Sequence, residues 1–198
     1  MENSTIEISD YLLNDPQVLG YNSTIEQELL FLGLLHMYSP NQSILDVGCG
    51  RADLFGFLKR AFPGNEIMYT GLDYNPNILE VAKLKYPGVH TISTDLLNSD
   101  DSKFDWVFAS GIFNLRDRDE IQMTDYAKLC IDKMMQKANV GVAVNFLTDF
   151  PAEYSDEDKS KYVAHDSGLW LNYLIKTYKK VISRTDYMEG DVTFIILK

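Results

Sequence analysis

From Ser43 onward, short apolar runs alternate with stretches in which apolar residues recur every three or four positions. The runs ILDVG, EIMYTGLD, VHTIST, FDWVFAS and VGVAVNFL read as strands, and residues 51 to 61, 76 to 85 and about Asp119 to Lys137 read as helices. That rhythm predicts a parallel sheet covered by helices on both faces. A polar stretch follows, then a helix around Leu169 to Thr177. Two strand-like runs, KVISRTDYM and VTFIILK, close the pattern; the acidic, glycine-containing link between them (Glu189, Gly190, Asp191) predicts an antiparallel hairpin. Two helical candidates precede the sheet. The second, Thr24 to Tyr38, sets Ile25, Leu29, Leu32, Leu35 and His36 along one stripe, the side expected to pack on the sheet.

With 198 residues, 45% of them hydrophobic, the chain suits a single domain over residues 1–198: an N-terminal helical cap to residue 42, then a sheet core. There is no run of about 18 apolar residues, and MENSTIEISD has neither the basic flank nor the apolar stretch of a secretion signal. The expectation is a cytoplasmic protein without a membrane partner. Cys49 and Cys130 are too few for a disulfide framework and lack metal-ligand spacing, so reduced thiols and no metal are expected. Eighteen basic against 29 acidic side chains give a net charge of −11, with no concentrated basic run, which disfavours nucleic acid as a partner.

The sharpest local signal is ILDVGCGRADL, residues 44 to 54, where an apolar strand meets two closely spaced glycines and then a helix. Gly48 and Gly50 allow the backbone to turn sharply and approach a ligand without interference from a Cβ, and the helix directs its amino end toward the same place. A nucleotide-like molecule fits such a turn. A dinucleotide fingerprint, however, requires a third glycine three residues after the second, where this chain has Asp53.

DVGCG, GLDYNP, the Asp95 position and FDWVFASGIFN together resemble the class I S-adenosylmethionine-dependent methyltransferases, from about Tyr21 to Lys198. Within that group the chain is similar to small stand-alone bacterial and phage enzymes. It has Ala52 where the family often carries a third glycine. The resemblance implies a doubly wound α/β fold, with a mostly parallel seven-stranded sheet ending in a C-terminal antiparallel hairpin, and S-adenosylmethionine as cofactor. It further implies that Asp46 and the backbone of Gly48, Cys49 and Gly50 meet the amino acid end of the cofactor. Asp73 would accept from the ribose hydroxyls with Tyr74 beside the sugar or adenine, and Asp95 from the adenine amino group with Leu96 adjacent. Ser110 and Gly111 would lie where substrate meets the methyl group, and Tyr21 and Gln27 would act as lid contacts.

FDWVFASGIFN lacks the Asn/Asp-Pro-Pro-aromatic motif of enzymes that methylate amino groups of nucleic acids, and no Pro-Cys pair offers a cytosine C5 nucleophile. With the acidic charge, this moves the expected acceptor to an oxygen or nitrogen of a small molecule. The alternatives are a protein or nucleic acid acceptor recognised through a partner, or a non-catalytic cofactor-binding scaffold. An activated sulfonium donor makes a dedicated base optional. If one is used, the substrate-side loop 151–168 offers His165 and Tyr162, with Tyr154 and Asp166 nearby.

Overall fold

The computed structural model describes residues 10–116, 120–150 and 154–198. The expected helix start at Asp119 and the first three residues of the 151–168 loop lie outside them. Seven strands form one sheet: β1 (Ile44–Val47), β2 (Tyr69–Asp73), β3 (Thr91–Ser93), β4 (Phe104–Ala109), β5 (Ala138–Leu147), β6 (Val181–Arg184) and β7 (Asp191–Leu197). Their order is β3-β2-β1-β4-β5-β7-β6. The pairs from β3 to β5 are parallel, and β7 enters between β5 and β6 antiparallel to both. The doubly wound sheet and the terminal hairpin are therefore as the sequence predicted.

Among the described residues there are seven α-helices: α1 (Asp10–Asn14), α2 (Thr24–Leu34), α3 (Asp53–Ala61), α4 (Pro76–Lys85), α5 (Glu120–Lys137), α6 (Asp156–Lys161) and α7 (Ser167–Tyr178). The period-2 alternation of the strands divides the core between two faces. Leu45, Val47, Val107, Val142, Val144, Phe194 and Ile196 pack with Ile131 and Met134 of α5 and Leu174 of α7. On the other face Ile44, Trp106, Phe108, Ala143 and Ile195 pack with Phe31 and Leu34 of α2, Leu54 and Leu58 of α3, and Leu79 of α4.

The expected buried stripe of α2 needs correction. Ile25 and Leu32 are 73% and 50% exposed, whereas Gln27, Leu30, Phe31, Gly33 and Leu34 are buried. The buried set still has helical spacing but is rotated around the axis, because Gly33 lets the helix approach β7 closely. A Cβ there would stand 2.6 Å from the Thr193 hydroxyl and 3.0 Å from the Tyr187 ring. Ser23 caps α2 through the Glu26 amide at 3.1 Å, and Asn75 caps α4 ahead of Pro76. Asp156–Lys161 forms the short helix α6.

A parallel sheet delivers the carboxyl ends of β1, β2, β3, β4 and β5 to one edge. Because β7 runs the other way, its first residue joins that edge: Asp191 pairs with Leu147, the last residue of β5. Gly48, Asp73, Asp95, Gly111, Leu147 and Asp191 all line one cavity of about 660 Å³ at this edge.

Candidate active site

Asp46, one residue before the end of β1, is 4% exposed and accepts a hydrogen bond from the Tyr69 hydroxyl at 2.7 Å. Burial pushes its carboxyl up to about 7; the Tyr69 hydrogen bond acts in the opposite direction, and the negative charge of Asp73 adds to the rise. The turn after it requires glycine. Gly48 has φ +68°, and a Cβ there would come within 2.3 Å of Ile112 Cγ2. The Gly48 and Cys49 amides both donate to the Leu72 carbonyl, at 2.7 and 3.1 Å, and the Gly50 amide donates to Asp73 Oδ2 at 3.0 Å. With these N–H groups engaged inside the protein, the turn does not present the row of free amides that cradles a pyrophosphate. The Cys49 thiol is buried, and that burial raises its pKa far from the thiolate range.

Ala52 occupies the αL region at φ 58°, a conformation glycine adopts without strain, which gives the physical reason for a glycine at this position in related turns.

Asp73 closes β2 with its other oxygen accepting from the Asn75 amide at 2.9 Å, so backbone donors fix both ends of the carboxylate. Tyr74 is 78% exposed at the rim. Asp95 follows β3 and caps the short 3-10 turn Leu96–Asn98 by accepting from the Leu97 amide at 2.8 Å. Both acids and Leu96 line the cavity together with Asp46.

Beyond β4, Ser110 accepts from the Tyr21 hydroxyl at 3.1 Å, and the Gly111 amide donates to Asn145 Oδ1 at 2.8 Å. Asn114, which follows, accepts from the Leu147 amide at 3.0 Å. Tyr21 is held up to about 12 by burial, with the Ser110 hydrogen bond opposing, so it is a neutral hydroxyl at physiological pH. Gln27 donates from Nε2 to Asp53 at 3.3 Å. Tyr21, Gln27, Ser110 and Gly111 thus share the cavity with the strand-end acids.

The two residues named as possible bases are placed differently. Tyr162 lines the cavity beside Tyr154, their rings 5.8 Å apart. His165 does not line it and is not a surface-loop residue: it is 5% exposed, with Nε2 3.0 Å from the Phe113 carbonyl and Nδ1 accepting from the Trp170 indole at 3.3 Å. Its ring stands edge-on to Phe146 at 4.9 Å. The backbone explains the depth, because the His165 amide donates to the Leu147 carbonyl and draws the loop inward. Arg184 and Asp186 pair bidentately at 2.9 Å, while Tyr187 shares a 2.8 Å hydrogen bond with Thr193; none of the three lines the cavity.

Three features were not anticipated. Arg51, 1% exposed, donates to the Leu12 and Asp15 carbonyls and to Asp53, whose other oxygen receives Lys85. Asp191 is a further buried cavity-lining acid, and, as at Asp46, burial raises its carboxyl to about 7, Glu26 adding to the rise. Finally, Glu26, Asp46, Asp53, Asp73, Asp95 and Asp191 all line the cavity, and among the described residues no Lys, Arg or His does. The signal for Asp191 in the sequence was its position at the start of an antiparallel final strand.

A family model described as a methyltransferase domain matches residues 44–131. The protein Rv1506c of Mycobacterium tuberculosis, named provisionally as a methyltransferase, is 28% identical over 160 residues, covering 79% of this chain and 93% of that protein. Among solved structures, the N-methyltransferase NodS of Bradyrhizobium japonicum, in complex with S-adenosyl-L-homocysteine, superposes with TM-score 0.62 at 17% identity, covering 94% of each chain. The amino pentose methyltransferase CalS10 of Micromonospora echinaspora superposes with TM-score 0.63 at 14% identity, covering 91% of this chain and 94% of that one. At these identities the two structures speak for the fold, and the sequence matches speak for the activity. Together with the strand order and the glycine turn between β1 and α3, the sequence matches support a class I S-adenosylmethionine-dependent methyltransferase.

Proposed function

We propose that the enzyme methylates an oxygen or nitrogen of a small-molecule acceptor, and that the strand-end residues hold the cofactor as the family resemblance implies. The observation that carries this is the convergence of Asp46, Asp73 and Asp95, from the ends of three adjacent parallel strands, on one 660 Å³ cavity. That volume lies within the range of cofactor and small-molecule sites. The cavity also suits the group chemically: acids line it and, among the described residues, no Lys, Arg or His does, which favours a ligand bearing a sulfonium and an ammonium. The Ile112 side chain packs against Gly48 so closely that the turn has no room for a side chain of its own.

In this assignment Asp46 meets the ammonium of the cofactor beside Gly48, Cys49 and Gly50. Asp73 takes the ribose hydroxyls with Tyr74 at the rim, and Asp95 with Leu96 receives the adenine. Ser110, Gly111, Tyr21 and Gln27 border the reacting end, and residues 10–42, the described part of the expected cap, cover the sheet core, supported by the grip of Arg51 on the Leu12 and Asp15 carbonyls. The bound cofactor supplies a methyl group already activated on sulfur, so the protein contributes position and exclusion of water. Of the two candidate bases only Tyr162 lines the cavity, which supports Tyr162 over His165 as the group near the acceptor. NodS is an N-methyltransferase and CalS10 an amino pentose methyltransferase, in keeping with a small acceptor.

Calorimetry with S-adenosylmethionine and S-adenosylhomocysteine tests the cofactor assignment. Both bind the wild type, and Asp73→Ala weakens both at least roughly tenfold without unfolding the protein. Equal affinity in the variant would remove Asp73 from the site. Transfer of labelled methyl groups into a metabolite collection tests the acceptor class; labelling confined to macromolecules would reject it.

A further inference from the structure

Asp191 opens β7, three positions from β1 in the sheet, and so lies apart from the acids of β1, β2 and β3 that the cofactor assignment uses. Asp191 is 8% exposed and lines the cavity, yet among the described residues its carboxylate has no hydrogen-bond or ion-pair partner. Glu26 lines the same cavity, oriented by the Asn22 amide at 2.7 Å and the Asn22 side chain at 3.1 Å. The two are close enough for the charge of Glu26 to act on Asp191, and that of Asp191 on Tyr21 and Tyr154. Tyr162 lines the same cavity, its ring 5.8 Å from that of Tyr154, and among the described residues no Lys, Arg or His lines it.

An unpaired carboxylate this deep is unfavourable in the free protein and becomes favourable once a ligand brings it a positive charge or a proton. An anionic acceptor would meet only like charge, and a neutral alcohol would leave the carboxylate without a counter-charge. A cation gains from the Asp191 and Glu26 charges in a cavity that Tyr21, Tyr154 and Tyr162 also line.

We propose that the part of the cavity around Asp191 is the acceptor subsite and that the acceptor is an aliphatic amine, bound as its ammonium at Asp191 and deprotonated there. The proposal rests on the methyltransferase reading and narrows its acceptor from oxygen or nitrogen to nitrogen. An ammonium has no free electron pair, so a proton must leave before transfer. Asp191 takes one proton from R–NH3+ and leaves R–NH2. The nitrogen pair then forms the new N–C bond while the C–S bond breaks, its pair staying on sulfur as a neutral thioether. The methylated nitrogen carries the positive charge until it sheds a proton to solvent. A carboxyl held near neutrality by burial is matched to that exchange. Glu26, Tyr21, Tyr154 and Tyr187 are the other titratable groups whose electrostatics involve Asp191; the tyrosines stay neutral near pH 7 because burial raises each of them.

The test uses the full chain saturated with S-adenosylhomocysteine, titrated with cyclohexylamine, cyclohexanol and cyclohexanecarboxylate and followed by calorimetry and by NMR of the probes. The amine should bind at least roughly tenfold tighter than the other two, and Asp191→Asn should erase that preference while S-adenosylhomocysteine affinity stays unchanged. Asparagine has the shape of aspartate, and retained S-adenosylhomocysteine binding certifies that the variant is folded. An alcohol or carboxylate binding as well as the amine, no binding by any of the three, or an amine preference that survives Asp191→Asn would overturn the proposal. Failure of S-adenosylhomocysteine to bind the wild type would instead strike at the cofactor assignment, so the two failures are distinguishable.

Discussion

The Arg51 guanidinium lies 2.9 Å from Asp53 Oδ2, with the two side chains 1% and 8% exposed. Lys85 reaches the other Asp53 oxygen at 2.7 Å. Arg51 also donates to the Leu12 and Asp15 carbonyls, at 2.9 and 2.8 Å, so one buried ion pair ties the segment before α2 to the glycine turn of the cofactor cleft. Leu19, in the same segment, stands where a Cβ on Gly50 would lie 3.2 Å away.

Breaking one side of a buried pair leaves the other charge desolvated, a loss of about 3–5 kcal/mol. Arg51→Met should therefore lower the urea midpoint of unfolding by that order, and it should expose residues 10–20 to limited proteolysis before the sheet unfolds. A variant with wild-type protease resistance in that segment would show that Arg51 does not anchor it.

Gly48→Ala places a Cβ at φ +68° and 2.3 Å from Ile112 Cγ2. Strain at a left-handed position alone is of order 1 kcal/mol, and the contact forces either the turn or Ile112 to shift within the cavity wall. The expected result is a folded protein of modestly lower Tm with S-adenosylmethionine affinity reduced at least roughly tenfold in calorimetry. An unchanged affinity would mean that the turn does not shape the cofactor surface.

The strand–turn–helix at Gly48, the acid closing β2 and the hairpin were legible because each is written in contiguous residues whose chemistry has one structural outcome. The face of α2 was not, since its buried stripe begins with Gln27 and includes Gly33, both uncounted by an apolar pattern, while Ile25 and Leu32 point to solvent. The depth of His165 depends on pairing with Leu147 and on the Trp170 indole, contacts across the sequence that periodicity does not carry. Asp191 read as a turn acid. Only the insertion of β7 between β5 and β6 brings it to the same edge as Asp46.

His165 offers a direct contrast between support and catalysis. With Nδ1 accepting from the Trp170 indole, the hydrogen on Nε2 is donated to the Phe113 carbonyl. His165→Phe leaves that carbonyl and that indole N–H buried without these partners, a loss of roughly 2–4 kcal/mol in chemical denaturation. Cofactor affinity and the pH profile of kcat/KM should stay at their wild-type values. A pH profile that loses one limb in the variant would return His165 to the reacting groups.

Asp46 and Asp191 make the stability of the apo enzyme depend on pH in a direction opposite to that of ordinary paired carboxylates. Burial raises both from 3.8 to about 7, so between those values the folded protein holds protons that the unfolded chain releases. Their contribution is fully present below the unfolded value and is lost as pH rises through about 7. Asp100 and Asp186, whose pKa values are lowered by hydrogen bonds from Ser102 and Arg184, titrate below that window and leave its slope alone. Each raised acid should make the protein about 2–3 kcal/mol less stable at pH 8 than at pH 5, measured as urea unfolding free energy. Asp46→Asn keeps an acceptor for the Tyr69 hydroxyl without the titrating proton, and Asp191→Asn removes the titrating proton at nearly the same shape. Each variant should remove its share of the slope and be more stable than wild type at pH 8. A wild-type stability that is flat or rising from pH 5 to pH 8 would show that neither carboxyl is held protonated by the fold.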